Sequence, residues 1–332
     1  MRSYRLYSVL ILSVVCGFSV STFSSEDFPV GTRYNEVRQI SSHNSYDIDG
    51  IKPGLKEQAD QGVRSFELDM HKSLWSGGGN YPHSDWGIYH TSVIQSAGDH
   101  CQTLKGCLTQ LKEWHDQHPD HEVITLWLQM GKKLDGSEDM WETGGHFPVD
   151  LENRRLEKDL AGMLYTPVKL LQRCTQATNI QEAVKICGWP TLSELAGKFL
   201  VVLQGNNQAA QNYLHHVNSY HGDPNVGKEG YQGNKVSFVA FDITNGQETN
   251  QHPDAVFFNL EKTNVSEAKK IYENKFVSRV WEIKNQSEWN NARKNYVHHL
   301  CTDHVSVDLF EHSNGEPFEV IHTQTFLNIS HP

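Results

Sequence analysis

Basic residues are scarce in this chain. Its 29 Lys and Arg stand against 40 Asp and Glu, a formal charge of −11. No basic stripe is available to track a phosphate backbone, which argues against nucleic acid as a partner, and the same balance argues against strong electrostatic attraction to an anionic membrane. Long apolar runs are lacking too. The one candidate, residues 6–20, is broken by Ser8 and Ser13 and falls short of the ~20 apolar residues a spanning helix needs. There is no Pro/Gly/Ser linker, low-complexity block or repeat of solenoid spacing. No Gly-x-Gly-x-x-Gly turn follows a strand-like segment, which removes the main support for a doubly wound nucleotide-binding sheet.

The short apolar run has a use of its own. Arg2 and Arg5 precede it and Ser19, Ser21 and Ser24 follow, the order of a secretory signal peptide. Residues 1–24 are read as that leader, cleaved near 21–25, and residues 26–332 as one domain that is secreted or periplasmic. Val15 stands before Cys16 where lipoprotein processing wants a small residue, so a lipid anchor is disfavoured. Loss of Arg2 and Arg5 takes the charge to −13.

Cleavage leaves five cysteines, and an oxidising compartment makes disulfides the default. Spacing leaves the connectivity open. The local pairings Cys101–Cys107 and Cys174–Cys187 are expected, with Cys301 left unpaired. Three Asn-x-Ser triplets, at Asn264, Asn285 and Asn328, matter only in a eukaryotic secretory host.

Short apolar runs at 62–70, 123–130, 198–204, 236–242, 255–260, 277–283 and 297–302 read as buried strands. Helices are expected at 51–61, 103–117, 150–164, 191–195, 266–273 and 287–295; in the second of these Leu104, Leu108, Leu111 and Trp114 fall at 3.6-residue spacing. Strands alternating with helices indicate a parallel sheet, and seven or eight of them suit a (β/α)8 barrel, which takes roughly 250 residues plus insertions.

Chemistry-bearing residues concentrate in the first third. Ser42-His43-Asn44-Ser45-Tyr46, Phe66-Glu67-Leu68-Asp69 and Ile88-Tyr89-His90 supply two histidines, an amide and two carboxylates. On a strand Glu67 and Asp69 share a face. Two carboxylates that close invite a cation, and a base, an acid and a positive centre are what phosphodiester cleavage needs. The plainer alternative is a buried ion pair of Glu67 and Asp69 with Arg64 or a lysine.

These three segments resemble the first-half signature of the phosphatidylinositol-specific phospholipase C superfamily. Five more segments are similar to its calcium-dependent, secreted bacterial branch: residues 101–108, Trp114, His118-Pro119, Gly188-Trp189-Pro190-Thr191-Leu192 and Cys301-Thr302-Asp303. The resemblance spans about residues 35–305. It implies an α/β fold, a distorted (β/α)8 TIM barrel of the PLC-like phosphodiesterase type. It further implies that His43 is the general base, His90 the general acid, and Asn44, Glu67 and Asp69 ligands of one Ca²⁺ ion. Relatives carry a glutamate where this chain has Gln129, so the fourth ligand would be an amide and the ion more weakly bound. Lys132 or Lys133 would then offset missing positive charge or bind the substrate phosphate. The implied substrate is phosphatidylinositol or a related inositol phospholipid at a membrane surface, with no protein partner. A glycerophosphodiesterase or sphingomyelinase D-like enzyme is the rival within enzymes; a silent lipid- or sugar-phosphate-binding module is the rival outside them.

Other residues are read more plainly. His115, His118 and His121 recur by threes, but Pro119 breaks the helix that would align them, which leaves a solvated loop. Alternation separates His298 from His299, so these two with Cys301 and His304 make no single metal site. His71, His83 and Asp303 line the expected pocket without an assignable role. Trp75, Tyr81, Trp86, Trp141 and Phe147 either pack the core or seat at a bilayer interface.

Overall fold

The continuous apolar runs become strands buried on both faces, as in Phe199–Gln204, where all six residues are buried. The computed structural model describes residues 29–47, 53–71, 86–90, 99–130, 156–215, 236–303 and 318–321. Residues 1–28 and 216–235 and the side chains of Lys132, Lys133, His83, His304, Trp75, Tyr81, Trp141 and Phe147 lie outside them.

In chain order the described elements are β1 (Val37–Ser42), α1 (Leu55–Asp60), β2 (Ser65–His71), β3 (Gly87–Ile88), α2 (Leu104–Gln117), β4 (Ile124–Met130), α3 (Pro167–Gln172), α4 (Ile180–Ile186), β5 (Phe199–Gln204), α5 (Asn207–His215), β6 (Phe238–Asp242), β7 (Phe257–Leu260), α6 (Ala268–Glu273), β8 (Val277–Ile283), α7 (Gln286–Lys294), β9 (His299–Thr302) and β10 (Phe318–Val320). Eight of these strands, β1, β2 and β4 to β9, pair in parallel around a closed ring. The chain is a (β/α)8 TIM barrel.

The distortion lies at its closure. β1 meets β2 through only Ser41↔Ser65 and Ser42↔Phe66. Lower on that edge β10 pairs antiparallel with Val37, Arg38 and Gln39, so backbone groups that β2 does not reach are still bonded. Between β6 and β7 a 3-10 segment, Gly246–Gln251, stands where a regular barrel has a helix.

Outside the ring, α2 illustrates how the sequence sets a local element. Thr103 caps it by accepting from Gly106 N, and Leu104, Cys107, Leu108, Leu111 and Trp114 bury one stripe. Inside, alternate strand residues turn inward and several are polar. Tyr34 plugs the floor, its hydroxyl 2.8 Å from Thr125 Oγ1 and 3.2 Å from His299 Nε2, while His299 Nδ1 meets Ser65 Oγ at 3.0 Å.

Several expectations need correction. The strands β1, β3 and β10 and the helices α3, α4 and α5 fall outside the segments expected above; β1, Val-Arg-Gln-Ile-Ser-Ser, is too polar for an apolar-run rule because its inner face contributes to a polar interior. Thr191 forms an isolated bridge with Arg33 and residues 192–195 form turns, not a helix. His121 is buried, not solvated, with its Nε2 3.0 Å from His115 Nδ1. Trp86 belongs to the core, which removes it from any interfacial role. Both local disulfides form, Cys101–Cys107 and Cys174–Cys187, and Cys301 is free and buried.

Candidate active site

The turn after β1 is built onto β2 and β9. Ser45 N donates to the Glu67 carbonyl at 3.0 Å, and Glu67 N donates to Ser45 Oγ at 2.8 Å. His43 N donates to the Thr302 carbonyl at 2.9 Å. Asn44 takes a left-handed φ of +45°, a conformation asparagine tolerates better than most side chains. Its N–H then faces Glu67 Oε2 at 3.3 Å. Ser42-His43-Asn44-Ser45-Tyr46 is thus a rigid bracket, and Tyr46 completes it by donating its hydroxyl to Asp69 Oδ2 at 3.0 Å.

His43 Nδ1 lies 2.7 Å from Asp303 Oδ1, just past β9. An ionised carboxylate only accepts, so Nδ1 carries the hydrogen and Nε2, 3.7 Å from Glu67 Oε2, is the nitrogen left to take a proton. Burial disfavours the imidazolium, but Glu67 and then Asp303 outweigh it and raise the His43 pKa. β8 contributes the neighbouring wall. Its pairing with β9 steps from Val280↔Leu300 to Ile283↔Thr302, which leaves one extra residue on β8. This bulge, with Glu282 at φ +56°, places the Trp281 ring 6.5 Å from that of His43, the two planes 27° apart.

Glu67 and Asp69 share the inner face of β2, as their spacing requires, and both are buried. Their surroundings pull them apart. Glu67 Oε2 pairs at 2.7 Å with Arg279 Nη2. Burial would raise the Glu67 pKa, yet Arg279 and then His43 hold it below the ordinary range. Asp69 has no paired cation among the described residues; burial, then the charge of Glu67, pushes it up to about 7.

Arg279 is the residue that the sequence reading missed. It is fully buried in β8, with Nη1 donating to Gln204 Oε1 at 2.7 Å and Asn259 Oδ1 at 3.3 Å, and Nη2 donating to Cys301 Sγ at 3.1 Å. Its guanidinium carbon stands 5.1 Å from the Trp127 ring centre. The ion pair foreseen for Glu67 therefore exists with a different partner, since Arg64 bonds Glu122 at 2.9 Å. A signal was available: an arginine alternating with Val277 inside an apolar strand faces the interior and needs a carboxylate there. Burial pushes the Cys301 thiol up to about 12, so it stays protonated beside this pair.

Gln129, one residue before the end of β4, is in register with Asp69 on one side and Gln204 on the other. Register partners on parallel strands share a face, so these three side chains form one row. His90 follows β3 and is exposed at the mouth. Enough protein still surrounds its ring that desolvation, then the charge of His43, lowers its pKa.

A cation fits this row on one direct observation. Asp69 Oδ1 is buried without a hydrogen-bond partner among the described residues, a costly state for a carboxylate oxygen. Gln129 and Gln204, in one register row with Asp69, carry amide oxygens and Tyr46 a hydroxyl, ligand types that a hard cation accepts. Among the described residues no group of three or more His, Cys, Asp or Glu forms a metal cluster.

A closed parallel barrel with His43, Glu67 and Asp303 in contact at one end of its strands belongs to the broad class of barrels whose functional sites lie at the C-terminal mouth. The chain is a member of the Ca²⁺-dependent phosphoinositide phospholipase C family, whose model matches residues 86–271, more than half its length. The matched stretch includes His90 and Gln129 and begins after His43, Asn44, Glu67 and Asp69. In structure the chain is similar to a calcium-dependent phosphoinositol-specific phospholipase C from a Pseudomonas species, at a TM-score of 0.68 and 21% identity over 87% of this chain and 96% of that one. It is also similar to a Ca²⁺-dependent phosphatidylinositol-specific phospholipase C from Streptomyces antibioticus, at 0.59 and 18% identity over 82% and 95%. At such identities the likeness speaks for the fold. No curated protein matches the chain significantly.

Proposed function

We propose that the protein cleaves phosphatidylinositol or a closely related inositol phospholipid, releasing diacylglycerol and a cyclic inositol phosphate. The observation that carries the reading is the His43–Asp303 contact at 2.7 Å beside Glu67 and Asp69 at the mouth of a barrel of this family. With Nδ1 committed to Asp303, His43 Nε2 takes the proton from the inositol 2-hydroxyl, and that oxygen attacks phosphorus. His90 gives a proton to the departing diacylglycerol oxygen as its bond to phosphorus breaks. The cyclic 1,2-diester results, and the same pair working in reverse roles opens it with water.

Asn44, Glu67, Asp69 and Gln129 would hold one calcium ion, with Lys132 or Lys133 as further contacts for the phosphate. When bound, the ion would supply positive charge against the phosphoryl oxygens and the attacking hydroxyl. In the protein alone, against the effect of burial, the charges of Glu67 and Asp303 raise the His43 pKa, while desolvation lowers that of His90. Positive charge beside Glu67 would relieve the pull that raises His43.

Residues 1–24 act in this reading as the leader that exports the domain 26–332 to meet its lipid substrate; among the described residues no helix is long and apolar enough to cross a membrane. The test is release of water-soluble phosphorus from phosphatidylinositol vesicles with calcium and with chelator, cyclic and open products being resolved. Calcium-dependent cyclic product that disappears in His43→Ala is the expected result. Product formed equally well in chelator overturns the metal assignment, and no product in either condition overturns the substrate.

A further inference from the structure

His71 ends β2 one alternation beyond Asp69 and takes no part in the steps above. It is buried, and its Nε2 lies 2.7 Å from the Tyr89 carbonyl oxygen. A carbonyl can only accept, so Nε2 carries the hydrogen. The His71 and Tyr89 rings also stack face to face, centroids 3.7 Å apart and planes 8° apart. Tyr89 N donates in turn to the Asp69 carbonyl at 3.3 Å. Three contacts from one strand thus hold the residue that immediately precedes His90.

The Tyr89 carbonyl and the His90 N–H belong to one planar peptide unit. A hydrogen bond to that oxygen sets the rotation of the plane from which the His90 Cα is suspended. His90 itself is an exposed residue, so the anchoring of its backbone contributes to its aim. We infer that His71 is a positioning residue that orients His90 toward the leaving oxygen through the Tyr89 peptide and ring; this rests on the reading of His90 as the general acid. A leucine or phenylalanine would fill the buried volume, but neither carries an N–H to restrain the carbonyl.

The test uses leaving groups. A diacylglycerol alkoxide needs a proton as it departs, whereas a phenolate departs readily without one. Turnover of phosphatidylinositol in mixed micelles is compared with that of an aryl ester of inositol phosphate for wild type, His71→Phe, His71→Gln and His90→Ala, each checked for folding by circular dichroism and melting temperature. His90→Ala sets the scale by losing far more activity on the lipid than on the aryl ester. His71→Phe, which keeps the stack and deletes the N–H, is expected to lose ~10- to 10²-fold in kcat on the lipid with KM unchanged and under ~3-fold on the aryl ester, the cost of a misaimed group. His71→Gln, which restores a donor, recovers most of the loss and keeps the test open if the Phe variant does not fold. Equal losses on both substrates in the folded His71 variants, or none, overturn the inference while the His90 assignment stands. A His90→Ala enzyme that treats both substrates alike overturns the assignment and the inference together.

Discussion

His43 and Asp303, 260 residues apart in sequence, meet at 2.7 Å between Nδ1 and Oδ1. The pairing selects one tautomer of the imidazole and turns its other nitrogen toward Glu67. Asp303→Asn should therefore cost ~10²-fold or more in kcat, because an amide no longer enforces that tautomer. Asp303 also raises the His43 pKa, so the rising limb of the kcat/KM profile should move to lower pH in the variant. A profile that keeps its position would remove Asp303 from the base.

Glu67 and Arg279 behave as a unit. Arg279→Met leaves Glu67 buried without its cation and should destabilise the fold by ~3–5 kcal/mol, the usual cost of breaking a buried pair. Glu67→Gln combined with Arg279→Met should be less damaging than the two single losses added. Urea denaturation of the four proteins measures the coupling, and strictly additive losses would mean the pair is not one.

Asp69 makes stability fall with pH when no cation is bound. Its folded pKa of about 7 lies above the unfolded value of ~3.9, so its favourable contribution is present below ~pH 4 and is lost as pH rises through 7. In chelator at pH 8, Asp69→Asn should stabilise the protein by ~1 kcal/mol or more, a rise of ~2 °C or more in melting temperature. At pH 4 the gain should vanish. A pH-independent difference would falsify the assignment of the shift to Asp69.

Gln129 tests the row of donors from the other side. Gln129→Glu adds a third carboxylate opposite Asp69 and should tighten calcium binding by on the order of tenfold, read by titration calorimetry. Unchanged affinity would place Gln129 outside the metal site.

Much of this site was legible in the chain because its parts obey local rules. The two-residue spacing of Glu67 and Asp69 puts them on one face of any strand, and both line the barrel. Thr103 and the stripe from Leu104 to Trp114 define α2 without reference to the rest of the fold. Close sequence spacing also brought Cys101 to Cys107 and Cys174 to Cys187. Arg279 was hidden for the opposite reason: its partners Glu67, Gln204, Asn259 and Cys301 come from four other strands. Asp303 could be named near the site, but nothing local tied it to His43.

What the sequence by itself determined was the fold class, the strand faces and the residue types at the mouth, since periodicity and short motifs act over a few residues at a time. Tertiary structure decided that Glu67 is paired with a buried arginine while an oxygen of Asp69 is buried without a hydrogen-bond partner among the described residues, which nitrogen of His43 is occupied, and that His71 bonds the peptide before His90. Those outcomes depend on burial and on charges a few ångströms away, and only closure of the barrel brings such groups together.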